Sequence, residues 1–180
     1  MKKATIILLA LTATVRISAQ VNAYARVTSI SSTTLNVTSV NETYATFSPG
    51  MQVIVMQMQD NVIGPNTADN SSFGDLSTLA SVGMYEVSII SSVARSAGVP
   101  TQIIINSPLA NTYNTGSNSS VQVISYPVLG SNGFTTTQNI TAVPWNGSVG
   151  GVIAFKVNGT LNLAHDINAD YAGFNGGSIN

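Results

Sequence analysis

Few side chains in this sequence have the types and spacing that chemistry requires, and most of them lie near the C-terminus. His165, the only histidine, precedes Asp166, and a histidine beside a carboxylate is a frequent feature of hydrolases. Neighbouring residues of a strand point to opposite faces, so we expect a surface role for His165. Asp166, Asn168 and Asp170 alternate with apolar residues, which would put three oxygen-bearing side chains on one strand face. They form a candidate calcium site, without the glycine and glutamate of an EF-hand loop.

Aromatic side chains give a second candidate site. Trp145 and Tyr126 are candidates for stacking on a sugar ring, and Tyr113 is a further member of the same group. Trp145 follows Pro144 where two parts of the chain are expected to meet, and packing at that junction is the competing interpretation. The sequence has no cysteine, no zinc-ligand spacing, no glycine-rich phosphate loop and no paired catalytic carboxylates. We therefore expect a protein that is not an enzyme and has no cofactor, calcium excepted.

The N-terminus resembles a secretory signal peptide. Lys2 and Lys3 precede a twelve-residue, largely apolar stretch, and Ala19 provides the small residue before a cut. The predicted mature chain starts at Gln20 and carries three basic against seven acidic side chains, so it has no basic patch for nucleic acid. We expect an exported protein, at the cell surface or outside the cell.

The elements that would position these side chains are almost all strands. Short Thr- and Val-rich segments, separated by Gly, Pro, Asn and Ser, alternate through the mature chain, and charged residues are only 7% of the sequence. Asn-Gly turns, which favour positive φ at the glycine, begin at four positions. The expected strands cover residues 23–30, 33–40, 51–59, 84–93, 102–106 and 121–126, and the Asn-Gly turns begin at Asn132, Asn146, Asn158 and Asn175.

The last thirty-one residues differ from the rest. Apolar residues alternate on both sides of the Asn158-Gly159 turn, and the Gly150-Gly151 pair returns 26 positions later as Gly176-Gly177 (176 − 150). Short strands with such a return are typical of a β-solenoid coil. The expected inward residues are Ile153, Phe155, Val157, Leu161, Leu163 and Ile167. The predicted organisation is a signal peptide (1–19), an antiparallel β-sandwich or barrel-like capping domain (20–148) and the first coil of a β-solenoid (149–180), continuing beyond the given sequence.

Several stretches resemble, in the same order, a family of bacterial surface proteins: MQVIVMQMQ after Gly50, the segments from Gly83 and Leu109, VQVISYP from Val121, AVPWNG from Ala142 and GGVIAFKVNGTLNL from Gly150. The chain is similar to the N-terminal region of large Bacteroidota adhesin-like proteins that the type IX secretion system exports. Met51 stands where that family often has an acidic residue.

The resemblance implies a structural role in attachment or gliding motility, on the surface of a Gram-negative bacterium. Its partners would be the following solenoid repeats, the secretion or outer-membrane machinery and surface glycans. Self-association through an open solenoid end is a further expectation. The alternative is an accessory domain of a polysaccharide-active β-helix enzyme, or a carbohydrate-binding module.

Overall fold

The fold is built from strands and turns. The computed structural model describes residues 18–60, 70–71 and 81–174, and in these ranges there is no helix, so none that is long and apolar enough to cross a membrane. The all-β prediction is therefore confirmed for this part of the chain. The strands are β1 (Ser18–Ala19), β2 (Tyr24–Ser31), β3 (Thr34–Asn41), β4 (Gln52–Gln59), β5 (Tyr85–Ser96), β6 (Val99–Ile105), β7 (Ser120–Ser125), β8 (Phe134–Thr135), β9 (Asn139–Thr141), β10 (Leu161–Asn162) and β11 (Ile167–Asn168).

The six longest strands form a closed antiparallel barrel, in the order β2-β3-β6-β5-β4-β7, with β7 pairing back to β2. Sequence patterning left an antiparallel sandwich and a barrel-like domain as alternatives, and the structure has the barrel-like arrangement, with the sheet closed on itself. Closure gives every barrel strand two neighbours, which removes the unpaired edges that an open sheet exposes.

Alternating apolar residues fill the barrel. Val53 and Val55 of β4 and Val121 and Val123 of β7 are fully buried and belong to one cluster with Phe47. Met51 packs at the edge of this cluster, as expected for a core methionine. Every residue of β7 is buried, so its outward face is also covered, which an ordinary half-exposed antiparallel strand would not require.

An ion pair joins the β3–β4 connection to the β5–β6 hairpin. The Arg95 guanidinium donates two hydrogen bonds to the Glu42 carboxylate, of 2.7 and 2.8 Å, and a third of 2.9 Å to the Phe47 carbonyl. Burial alone would raise the pKa of Glu42, but the hydrogen bonds from Arg95 and from the Phe47 N–H more than offset this and lower it. The pair therefore ties the connection between β3 and β4 to the β5–β6 hairpin.

Residues 127–174, called the C-terminal segment below, pair in parallel. Phe134 pairs with Leu161 and Ile140 with Ile167, so both partners lie 27 positions apart (161 − 134 and 167 − 140). Val128 bridges Lys156 in the same sense. Antiparallel pairing ends with β7 and parallel pairing begins at residue 128, earlier in the sequence than the predicted boundary at residue 148.

Some predictions fall outside the described residues: most of the signal peptide (1–17), the turn at Asn175 and the return of the glycine pair at Gly176-Gly177. The other three Asn-Gly turns are confirmed, since Gly133, Gly147 and Gly159 have φ values of 104°, 91° and 95°. Ser18 and Ala19 pair in parallel with β9. Cleavage after Ala19 would remove this pairing and leave Gln20, whose amide donates to the Ala142 carbonyl, at the new N-terminus.

Candidate functional site: the junction between the barrel and the C-terminal segment

The outward face of β2 and β7 carries the side chains that hold the C-terminal segment. Strand alternation points Val121 and Val123 into the barrel and therefore points Gln122 and Ile124 outwards. Tyr24 lies on the same outer face, next to Ile124 in the β2–β7 register. Gln122 and Ile124 are 0% exposed and Tyr24 is 1% exposed, so this face is an internal interface.

Gln122 forms a two-way pair with the backbone of Gly150. Its Nε2 donates to the Gly150 carbonyl over 3.0 Å, and its Oε1 accepts from the Gly150 N–H over 3.0 Å. A side-chain amide thus pairs with a peptide group as a neighbouring strand would. Both groups of Gly150 are buried, so they would otherwise lack partners and destabilise the fold.

Tyr24 and Asn22 bind the same segment two and four residues after Gly150, and Asn22 repeats the two-way pairing. The Tyr24 hydroxyl donates to the Val152 carbonyl over 2.5 Å. Asn22 donates to the Ala154 carbonyl over 2.5 Å and accepts from the Ala154 N–H over 3.1 Å. Side chains of β2, of β7 and of the residues just before β2 therefore bind the backbone at residues 150, 152 and 154. This explains why the predicted strand here has no backbone ladder to the barrel.

Apolar packing completes the junction. Val149 and Ala154 pack on Tyr24 and Ile124, with the partly buried Ile54 and Met56 at the margin. Burial raises the pKa of the Tyr24 phenol to about 12, so the hydroxyl stays a donor at neutral pH. Within the described ranges, every buried side-chain nitrogen and oxygen has a hydrogen-bond partner.

Gly150 meets two separate requirements of this site. Its φ is +106°, a conformation that other residues adopt only with strain. A Cβ at this position would lie 2.6 Å from the Pro144 carbonyl oxygen and 2.8 Å from that of Val143. The Gly150 of the sequence pattern is therefore needed for a close backbone approach at the junction.

The candidate calcium residues do not all share a strand. Asp166 and Asn168 lie at β11, but Asp170 lies in the turn that follows, and its N–H donates to the Asn168 Oδ1 over 2.7 Å. The predicted alternation therefore ends before Asp170. Across residues 18–60, 70–71 and 81–174, no three His, Asp or Glu side chains are grouped so that they hold a metal ion. Calcium binding stays a prediction.

The single histidine is held by its backbone. The N–H and the carbonyl of His165 both bond to the hydroxyl of Thr136, over 2.7 and 2.9 Å. These bonds fix the turn that follows β10 and involve no side-chain atom of His165.

The two aromatic candidates are packed within the protein. Trp145 is 9% exposed, and its ring centroid lies 5.6 Å from that of Phe174. The backbone N–H of Trp145 donates to the Ala172 carbonyl. Tyr126 packs against the junction cluster. Tyr113, the third aromatic residue, is also 9% exposed and donates to the Val55 carbonyl. Packing, the competing interpretation, accounts for these contacts, and glycan stacking stays a prediction.

A second polar cluster lies at another end of the barrel. The Asp60 carboxylate is 5% exposed and accepts hydrogen bonds from the backbone and hydroxyl of Ser81 and from the amide of Asn114. Fully buried Gln57 also pairs in two directions with the Asn114 backbone. A groove of about 610 Å³ runs beside this cluster, lined by Asp60, Ser81, Met84 and residues 110–114.

Sequence reasoning did not identify Asn22, Tyr24 or Gln122. One signal was present: in the run VQVIS, residues 121–125, the neighbours Val123 and Ile124 put an apolar side chain on each face, as expected of a strand buried on both faces. A glutamine in such a run needs a buried partner. Which backbone it pairs with depends on the path of residues 143–154, and local sequence does not determine that path.

No protein-family model matches this sequence, and no curated protein or solved structure is significantly similar to it.

Proposed function

We propose that this chain is a non-enzymatic structural domain, the N-terminal cap of a β-solenoid in a secreted cell-surface adhesin. The observation that carries the proposal is the junction: Asn22, Tyr24 and Gln122 bind a strand-like segment of the following chain with side chains alone. Such an arrangement holds the first turn of a stack in a fixed position without adding a strand to the closed barrel.

Parallel pairing at a constant spacing supports the solenoid part of the proposal. Three pairs join residues 27 or 28 positions apart: Val128 with Lys156, Phe134 with Leu161 and Ile140 with Ile167. Each repeat of a solenoid contacts only its neighbours, so a fixed offset between partners is what stacked coils produce. On this proposal, residues 127–153 form one coil and the next coil begins at Ala154.

A cap is needed for a physical reason. The terminal coil of a solenoid exposes unpaired strand edges and apolar side chains, which invite pairing with other chains. The barrel offers no such edges, because all six of its strands have two neighbours. Fixed at the start of the stack, it protects that end and leaves growth to proceed in the other direction.

The cell-surface role rests on the sequence. A signal-like N-terminus, few charges, many Ser, Thr, Asn and Gly residues, and the resemblance to type IX-exported Bacteroidota proteins support export and a role in attachment or gliding motility. The partners on this proposal are further solenoid repeats, the export machinery and surface glycans.

Removing the barrel tests the capping role. Residues 127–180 expressed without the barrel should lose the Trp145 emission of a buried indole and should associate, whereas the mature chain should stay folded. Residues 127–180 folding as a stable monomer would show that no cap is required. Surface location is tested separately by protease treatment of intact cells that carry the protein, with a periplasmic protein as the control.

The groove beside Asp60 favours the alternative of a carbohydrate-binding module. Its lining combines the polar residues Asp60, Asn111 and Thr112 with the apolar Met84, and polar groups beside an apolar side chain suit a sugar. Binding of a glycan in an array, weakened by Asn111→Ala and unchanged by Thr101→Ala on the exposed β5–β6 hairpin, would support this alternative. Absence of binding to any glycan in the array would contradict this alternative.

A further inference from the structure

The two last strands of the described chain each have a neighbour on one side only. β10 pairs with β8 and β11 pairs with β9, and neither has a second partner within residues 18–60, 70–71 and 81–174. β9, in contrast, lies between β1 and β11. β10 and β11 together are called the open edge below. An edge strand presents a row of N–H and C=O groups that another strand can pair with.

Two isoleucines at equivalent positions of the stack differ in exposure. Ile140 and Ile167 are register partners, with the same side chain and the same parallel pairing. In the chain that still carries β1, Ile140 lies between β1 and β11 and is 2% exposed, whereas Ile167 has a neighbour on one side and is 38% exposed. The difference is what a missing next layer would produce.

The same holds at the other strand of the open edge. Leu161, paired with Phe134, is 38% exposed, and Leu163 two residues later is 59% exposed. The sequence pattern predicted all three aliphatic side chains to be inward, and the structure leaves them uncovered. Large apolar side chains grouped on a surface mark an interaction site.

We propose that the open edge is the docking surface for one further coil of the same polypeptide, running parallel to β10 and β11 with an aliphatic side chain over Leu161 and another over Ile167. The inference rests on the proposed function and extends it to the opposite end of the stack. The open edge repeats, 27 positions on, the strands on which it already stacks. β10 and β11 already pair with β8 and β9. A further coil with strands like β10 and β11 would therefore fit the free side of the open edge.

A second copy of the chain fits this edge less well. A two-fold axis would bring the edge strands of two copies together in opposite directions. β10 and β11 could then not pair with their copies in parallel and in register. A head-to-tail copy would have to offer the side of β9 that faces away from β11, and the chain leading into the barrel lies there, with Gln20 bonded to the Ala142 carbonyl even when β1 has been cleaved off. A coil that continues in the same sense meets neither obstacle.

A thiol at Ile167 tests the docking surface. The sequence has no cysteine, so Ile167→Cys provides a single reporter at a half-exposed position. The reporter is compared in the 180-residue chain and in a chain extended after Asn180 by one repeat of residues 154–180, which adds one 27-position unit. Docking should slow the reaction of the thiol with a maleimide by about tenfold or more in the extended chain, because the site must open before it reacts.

Matched variants separate docking from other effects. Val99→Cys, on the 53% exposed position of the β5–β6 hairpin, should react equally in both chains. An extended chain whose added copies of Leu161 and Ile167 are aspartate should lose the protection, because charged side chains cannot cover the open edge. Leu163→Cys is a second reporter should Ile167→Cys fail to fold.

Two results would overturn the proposal. One is that the thiols of Ile167→Cys and Leu163→Cys each react equally fast in the original and the extended chain. The other is protection of the thiol in the original chain that grows with protein concentration, since the occupant would then be a second copy. Neither result depends on the barrel junction, which Gln122 variants test separately, so the cap and the docking surface can fail independently.

Discussion

Removing the Gln122 side chain should loosen the C-terminal segment while the barrel stays intact. The Gln122→Ala variant leaves the N–H and the C=O of Gly150 without their partner, and both are buried. Each orphaned group costs about 1–3 kcal/mol. Partial entry of water into the space left by the side chain reduces the total, so we expect a loss of about 3 kcal/mol in the free energy of unfolding.

The sequence provides a local probe for this experiment. Trp145 is the only tryptophan and lies in the C-terminal segment, so its emission in urea reports on that segment alone. Circular dichroism near 218 nm reports mainly on the barrel strands. In the wild-type protein the two transitions should coincide, whereas in Gln122→Ala the Trp145 transition should move to lower urea and precede the other.

Two further variants isolate the hydrogen bonds. Gln122→Met keeps most of the volume but cannot pair with Gly150, so it should weaken the protein nearly as much as Gln122→Ala. Gln102→Ala removes a partly buried glutamine that bonds Asn36 on the barrel surface, and it should cost less than about 1 kcal/mol. A loss below about 1 kcal/mol in Gln122→Ala, with both transitions still coincident, would refute the reasoning.

The remaining predictions concern single positions. Glu42→Gln should lower the free energy of unfolding by about 1 kcal/mol at pH 7, since the partly exposed pair with Arg95 is bidentate. The folded pKa of Glu42 lies below its usual 4.5. The stabilisation by this pair is therefore complete above pH 4.5 and is lost as the pH falls through the folded pKa. A difference between wild-type and variant that persists at pH 2 in urea unfolding would contradict this prediction. Gly150→Ala should destabilise by about 2 kcal/mol or more through strain and the clash with Pro144, whereas Gly98→Ala, with open space around its Cβ, should cost only the strain of its φ of +85°. Tyr24→Phe should cost about 1 kcal/mol by freeing the Val152 carbonyl. Burial raises the pKa of both Tyr24 and Tyr113 to about 12, so an absorbance titration of this variant should show one phenol fewer near pH 12 than the wild-type protein.

The barrel strands were largely predictable from local pattern. MQVIVMQMQ alternates, and Val53 and Val55 do lie inside the barrel, because a strand with one buried face must place its apolar residues every second position. The pairings that close the barrel, such as β2 with β7 and β3 with β6, join distant segments. No local signal determines them, so closed and open sheets were equally consistent with the sequence.

The C-terminal segment was predicted less well, for two physical reasons. The sequence predicted a return after 26 positions, whereas the parallel partners lie 27 or 28 positions apart. Residues 127–148 have the same Thr-, Asn- and Gly-rich composition as barrel loops, so the sequence assigned them to the antiparallel domain. Leu161, Leu163 and Ile167 were predicted to be inward from alternation alone, and they are exposed. Alternation identifies which side chains share a face, whereas burial also requires a neighbouring layer. The junction residues Asn22 and Gln122 resemble ordinary surface amides until the chain that covers them is known.

Amide hydrogen exchange at Gly150 and Ala154 tests the central claim most directly, because the side chains of Gln122 and Asn22 are the acceptors for these two N–H groups. If the barrel holds the C-terminal segment as a cap, both amides should exchange as slowly as the buried Val123 amide in the wild-type protein. Gly150 should then exchange rapidly in Gln122→Ala while Val123 stays protected. Rapid exchange at Gly150 and Ala154 in the wild-type protein, beside a protected Val123, would contradict the account, since the segment would then not be held by the barrel.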